Sequence, residues 1–278
     1  MTGITTKRIL VRLRTAGRRT RAALAKTRAK IAPYARAAWD FAKEPALAVL
    51  FALTVTTALA RPYYVPTGSM EPTIAIGDAL LTSKFAYGYS RYSLPFDIGI
   101  SSPTRLLQRM PAQGDVIVFR LPRDPNQAYV KRLIGLPGDR VQMREGRLWV
   151  NGKELPLSPA GTGPVESQDG AIFTVPRFAE TLPNGRTHYI YKIQWDGPLD
   201  NTREYVVPEG HLFMMGDNRD NSLDSRVAET DGGVGYVPME NLIGRADIVV
   251  GSVDFLNARS LIEWPAEFRI ARVLKPVR

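Results

Sequence analysis

Three short segments hold side chains whose types and spacing could do chemistry. The first is PTGSMEPT, Pro66 to Thr73. Two prolines and a glycine in eight residues rule out a helix and argue against a central strand. Ser69 therefore sits on a stiff, turn-prone segment that presents it, with Gly68 free to bring the backbone close to another group. A serine becomes a nucleophile only with a base beside it. These residues alone leave open a plain loop serine bonded to its own backbone.

Candidate bases are few. The chain has two histidines, His188 and His211. His211 falls at a strand position in HLFMMGDN, and His188 at the edge of a polar segment. A lysine serves instead if burial lowers its pKa, because desolvation disfavours the charged form. Lys131, in AYVKRLIGLPGD, would share a strand face with Tyr129 and Leu133. Bringing a lysine from ~10.4 to ~8 costs roughly 3 kcal/mol, which a well-packed body can bear. The alternative is a solvated Lys131–Arg132 pair. The third segment is GDNRDNSLDSR, Gly216 to Arg226, where Asp217, Arg219, Asp220, Asp224 and Arg226 alternate with Asn218, Asn221, Ser222 and Ser225. A calcium loop needs a closing glutamate and no intruding arginines, so that reading fails. A salt-bridged turn that holds a small hydroxyl such as Ser222 in place fits better.

The 278 residues include no cysteine, which excludes disulfides and thiolate metal sites, and two histidines exclude a His-rich one. No metal and no cofactor are expected. The net charge of +10 belongs to one end: residues 1–44 hold twelve of the 37 Lys and Arg against two of the 27 Asp and Glu, leaving 25 of each sign elsewhere. That basic tail lacks aromatic interleaving or a recognisable module, so a nucleic-acid partner is not expected. An uncharged run of fifteen residues, Ala46 to Ala60, follows it. As a helix it would reach only ~22 Å against a hydrocarbon core of ~30 Å. Flanking Trp39, Phe41, Tyr63 and Tyr64 suit membrane interfaces, and Lys43 and Arg61 can snorkel. The charge asymmetry places the N-terminus in the cytoplasm and the body outside. Ala58-Leu59-Ala60 has the form of a cleavage site, but the basic region is far too long for a secretory signal.

Beyond Ala60 short β-branched runs recur: Asp115–Leu121, Arg140–Arg144, Arg147–Val150, Tyr189–Trp195, Tyr205–Val207, His211–Met215 and Ala246–Ser252. Pro137-Gly138-Asp139, Glu145-Gly146, Asn151-Gly152 and Asn184-Gly185 punctuate them. Residues 155–187, rich in Pro, Gly, Ser and Thr, read as a long surface loop. The expected fold is mostly β, a distorted barrel or sandwich with an inserted β subdomain, preceded by one N-terminal transmembrane helix. The expected boundaries are a basic tail at 1–44, an anchor at 45–61, a core in two parts at 62–140 and 209–258, the insert at 141–208 and a C-terminal segment at 259–278.

PTGSMEPT, YVKRLIGLPGD and GDNRDNSLDSR, in that order, resemble the three signature segments of bacterial type I signal (leader) peptidases. GDVIVFRLP (Gly114–Pro122) and GYVPMENLIGRA (Gly235–Ala246) are similar to two further family segments, and the likeness covers about residues 40–257. The resemblance implies a serine endopeptidase with a Ser/Lys dyad. Ser69 would be the nucleophile, neutral Lys131 the general base, and Ser222 the residue that orients the lysine amine. The Ser69 backbone N–H and the Thr67 hydroxyl would hold the oxyanion, with threonine where many members carry serine. Asp217, Asp224 and Arg226 match supporting positions, and Tyr63, Val65, Pro66, Tyr129 and Val130 match pocket positions. The implied substrates are signal peptides of exported preproteins, with small residues one and three positions before the cut. Membrane lipid and the protein translocation machinery are the other implied partners. The implied location is the bacterial inner membrane, single-pass, with the catalytic body on the periplasmic side. Eight residues between Ala60 and Ser69 span at most roughly 30 Å, which keeps the serine near the bilayer. Two other readings compete: a Ser/Lys peptidase of related fold acting on itself or on one dedicated substrate, and a membrane-anchored β module without catalysis.

Overall fold

The computed structural model describes residues 32–34, 36–55, 59–93, 105–166, 171–253 and 268–278. The chain divides into two units, Met1–Thr54 and Val55–Arg278. In the first, a helix covers residues 36–54. Among the described residues no helix is long and apolar enough to cross a membrane. Ala60 and Arg61, placed by the sequence at the end of the apolar span, instead open a strand, while residues 56–58 lie outside the described residues.

The second unit is built from antiparallel strands. In chain order they are β1 (Ala60–Tyr64), β2 (Asp78–Ser83), β3 (Val116–Leu121), β4 (Asp124–Gly135), β5 (Arg140–Arg144), β6 (Arg147–Val150), β7 (Lys153–Glu154), β8 (Leu157–Glu166), β9 (Ile172–Thr181), β10 (Thr187–Tyr191), β11 (Tyr205–Val206), β12 (His211–Met215), β13 (Val237–Pro238) and β14 (Leu242–Ser252). One sheet has the order β1-β2-β14-β3-β4-β12-β13. Its ends, β1 and β13, are not neighbours, so it stays open and the expected barrel does not close. Two smaller sheets, β10-β9-β8 and β11-β5-β6-β7, come from the chain between β4 and β12.

Alternation along β3 explains how the large sheet is covered on both faces. Ile117, Phe119 and Leu121 join Leu133, Leu212 and Met214 in one cluster. Val116 and Val118 join Val65, Met70, Ile74 and Leu80 in another. The four-stranded sheet shares a third core with the large one, where Val141, Leu148 and Val150 meet Ile134, Phe213 and Met215. Glu145-Gly146 and Asn151-Gly152 form the expected tight turns, with positive φ at both residues of each pair.

Residues 155–187 depart from the expected loop: most of them form β8, β9 and the first residue of β10. The composition misleads because β8 is an edge strand, where proline and glycine cost little. Its ladder with β9 also shifts register between Pro159 and Thr162.

Candidate active site

Ser69 lies in a single 3-10 turn, Gly68–Met70, on the loop joining β1 to β2. The loop is closed at its neck, where Val65 N–H donates to Asp78 O and Gly77 N–H to Val65 O, both at 2.9 Å. A side chain on Gly77, at φ 86°, would strike the Val253 carbonyl. Met70 and Ile74, both fully buried, fasten the loop to the core beneath it. Each such side chain contributes roughly 1.5–3 kcal/mol, comparable with the ~1–2 kcal/mol of backbone entropy lost per ordered residue. The sequence makes this segment stiff, and the core makes it stationary.

Lys131 is on β4, which is hydrogen-bonded to β3 on one side and to β12 on the other. Its residue is 3% exposed, and its Nζ donates to Ser69 Oγ at 2.6 Å. The Tyr129 ring stands 5.7 Å from the amine. Burial pulls the Lys131 pKa down to about 8; the Asp224 and Asp217 carboxylates oppose that shift and Arg226 adds to it. A solvated Lys131–Arg132 pair is therefore excluded: both are buried, and they face different partners.

The GDNRDNSLDSR segment forms the far side of the site as two charge clamps. Arg132 grips Asp217 with a fork, Nε to Oδ1 and Nη2 to Oδ2, each 2.7 Å. Thr73 Oγ1 donates to the same carboxylate at 2.5 Å. Arg226 grips Asp224 in the same way, with both bonds at 2.9 Å. Burial alone would raise both carboxyls, but the facing guanidinium of each outweighs it and holds them below the usual carboxylate range. From this loop Asn218 N–H donates to Ser69 O at 3.1 Å, and Asn218 Nδ2 to Gly68 O at 3.3 Å. Gly216 allows the close approach: a Cβ there would meet Ser222 Oγ and the Ser69 carbonyl.

Ser222 is buried beside this turn at 8% exposure, and among the described residues its hydroxyl has no hydrogen-bond partner. It lies beside Gly216 and makes no hydrogen bond to the lysine amine. Thr67 is exposed and does not cap the turn. The Ser69 N–H comes too early in the 3-10 turn to be used by it. Of the histidines, His211 Nδ1 lies 2.9 Å from Glu209 O. His188 is buried, with Glu180 3.5 Å and Asp217 3.9 Å away. Burial and Arg132 push its pKa down to about 4. Neither histidine partners Ser69. Among the described residues no cluster of His, Asp or Glu is arranged to hold a metal ion.

A cleft of about 700 Å³ opens over the pair. Tyr63, Val65, Pro66, Tyr129 and Val130 line it with Thr67, Ser69 and Lys131; Asn221 and Leu223 also line it. The supports that sequence reasoning missed are Arg132, Thr73 and Asn218. Arg132 was visible only as the neighbour of Lys131, and nothing local marks Thr73 or Asn218 as partners of residues so distant in the chain.

A family model described as "Signal peptidase, peptidase S26" matches residues 38–251, and the chain belongs to that family. The signal peptidase I of Rickettsia akari (strain Hartford) is 41% identical over 211 residues, 73% of this chain and 76% of that protein. That of Rickettsia typhi (strain ATCC VR-144 / Wilmington) is 37% identical over 246 residues, 82% and 89% of the two. A solved signal peptidase I from Enterococcus faecalis V583 aligns with 49% of this chain and 97% of its own at 26% identity, with a TM-score of 0.30.

Proposed function

We propose that this chain is a membrane-anchored serine endopeptidase that removes signal peptides from exported preproteins. The observation that carries the reading is the 2.6 Å contact between Lys131 Nζ and Ser69 Oγ at a cleft, in a chain of the signal peptidase family. Neutral Lys131 takes the Ser69 proton as Oγ adds to the carbonyl carbon of the residue before the cut. The negative charge that develops on the carbonyl oxygen is met by the Ser69 N–H and the Thr67 hydroxyl. Collapse of that adduct breaks the C–N bond, and the Lys131 ammonium returns its proton to the departing amine. Water, deprotonated in turn by Lys131, then releases the signal peptide from the serine ester. Ser222 orients the lysine amine once a substrate rearranges the site. The Arg132–Asp217 and Arg226–Asp224 clamps keep the pair in register.

Tyr63, Val65, Pro66, Tyr129 and Val130 form the walls that select small residues one and three positions before the cut. The basic excess in residues 1–44 supports an anchor with its N-terminus in the cytoplasm and the body on the periplasmic side of a bacterial inner membrane. Lipid and the translocation machinery are the surroundings that such a placement brings. Cleavage of a model preprotein by wild type, Ser69→Ala and Lys131→Met in parallel tests the reading. Turnover by wild type alone is the expected result, and cleavage by Ser69→Ala overturns it.

A further inference from the structure

Residues 268–278 form a brace behind the loop that carries Ser69. Their backbone joins β14: Leu274 N–H donates to Val249 O at 2.8 Å, Val249 N–H to Lys275 O at 2.9 Å, and Val277 N–H to Asp247 O at 2.9 Å. Val277 packs on the cluster that contains Met70 and Ile74. Two arginines then reach into the loop. Arg272 forks onto Asp78, Nε to Oδ1 at 2.8 Å and Nη2 to Oδ2 at 2.6 Å. Arg269 donates to the Ile76 carbonyl and, at 2.9 Å, to Ser252 Oγ.

Asp78 is fully buried, and its Oδ2 also accepts the Ala75 N–H at 2.9 Å. Arg272 Nη2 reaches the Thr73 carbonyl at 3.3 Å as well. Thr73 is thus held from two sides. Behind it stands Arg272. In front, its hydroxyl donates to Asp217 and accepts from Arg132 Nη2 at 3.2 Å.

We propose that Arg272 is a positioning residue for the Ser69–Lys131 pair, acting through Asp78 and Thr73 to fix the loop from behind. The inference rests on the catalytic reading above. Its physical basis is the directionality of a guanidinium–carboxylate fork. Without Arg272, Asp78 becomes a buried carboxylate that, among the described residues, keeps no salt bridge and only the weaker influence of the Lys275 ammonium. Its side chain is then free to turn toward water, which loosens its bond to Ala75 N–H. The loop that presents Ser69 then shifts on its core anchors. A shift of ~1 Å at reacting atoms can cost on the order of a hundredfold in rate.

The test uses the whole chain in detergent with a model preprotein and four variants: Arg272→Ala, Arg272→Lys, Asp78→Asn and the double variant Arg272→Ala/Asp78→Asn. Arg272→Ala is expected to lower kcat by about ten- to a hundredfold, with KM within about twofold because the cleft walls at Tyr63 and Tyr129 are untouched. Arg272→Lys should restore part of kcat. The double variant should lose no more than the worse single one, since both remove the same link. The proposal is overturned if folded Arg272→Ala keeps wild-type kcat, if its loss lies wholly in KM, or if the two single losses multiply. Where circular dichroism shows Arg272→Ala unfolded, Arg272→Lys and Asp78→Asn decide, and unchanged kcat in both overturns it. A wild type that cleaves nothing defeats the proposed function instead, which keeps the two failures apart.

Discussion

Lys131 and Arg132 are adjacent on β4 and equally buried, yet their surroundings are opposite. Arg132 has its fork filled by Asp217, its Nη1 bonded to the Gly114 carbonyl at 2.7 Å, and Thr73 beside it. Lys131 has a serine hydroxyl. A guanidinium stays charged under all ordinary conditions and fits a carboxylate in two places, so a saturated one makes a rigid joint. An amine on a flexible stem sheds its proton when desolvated, so a starved one makes a base. In the proposed mechanism, neighbouring residues on one strand thus carry rigidity and reactivity separately. Alternation of side chains along the strand allows it.

The hardest blow to this contrast would come at the reactive half. Ser69→Ala and Lys131→Met should each lower kcat by on the order of 10⁴-fold or more, and the double variant should be no worse than either. Substantial turnover by Lys131→Met would remove the base and with it the comparison. At the rigid half, Asp217→Ala leaves Arg132 as a buried guanidinium without its carboxylate, held only by the Gly114 and Arg278 carbonyls and the Thr73 hydroxyl. It should cost about 3–5 kcal/mol of unfolding free energy, read from urea denaturation at fixed detergent. A loss well under 1 kcal/mol would mean the clamp is slack.

Lys131→Met should change stability in the other direction. Burial pulls the folded lysine down to about 8 from its ordinary value of 10.5. Between those values the unfolded chain holds a proton that the folded chain has released, so stability rises with pH across that window. Below it the folded state carries the full burden of a buried ammonium, of roughly 3 kcal/mol. At pH 7 Lys131→Met should therefore unfold at higher urea than wild type, less whatever packing the thioether loses. The same ionisation should appear in kcat/KM as a limb that rises with pH near about 8. A limb that instead vanishes in His211→Ala would transfer the base to histidine. Among the catalytic effects the smallest belongs to Ser222. Among the described residues its hydroxyl has no partner, so Ser222→Ala should leave the far-UV spectrum alone and lower kcat by about ten- to a thousandfold. Unchanged kcat would remove Ser222 from the site.

Much of this was readable along the chain. PTGSMEPT marks a rigid presenting turn because proline and glycine act on the backbone locally. The face shared by Tyr129, Lys131 and Leu133 follows from strand alternation, and Tyr129 and Leu133 do meet in one cluster. Glu145-Gly146 and Asn151-Gly152 announce tight turns because few residues tolerate positive φ. By contrast, β8 was hidden, because an edge strand with a broken ladder can carry the composition of a loop. The end of the apolar span was misread for a related reason. The register Ala60↔Ser83 and Arg61↔Thr82 draws those residues into β1, and that partner lies outside any local window.

The sequence by itself determined the chemical inventory and the local backbone: one presented serine, one lysine on an apolar strand face, a loop dense in aspartate and arginine, and a basic tail before an apolar run. Only the tertiary structure decided which of these meet. Lys131 reaches Ser69 across 62 positions of chain, and Arg132 reaches Asp217 across 85. It also decided that Lys131 is buried, that Arg132 takes Asp217 while Arg219 takes Glu180, and that the Ser222 hydroxyl finds no partner among the described residues. Propensity and periodicity act over a few residues, whereas desolvation and ion pairing depend on what the folded chain brings alongside. A lysine's pKa belongs to its surroundings, and those exist only once β4, the Ser69 turn and the GDNRDNSLDSR loop have closed around it.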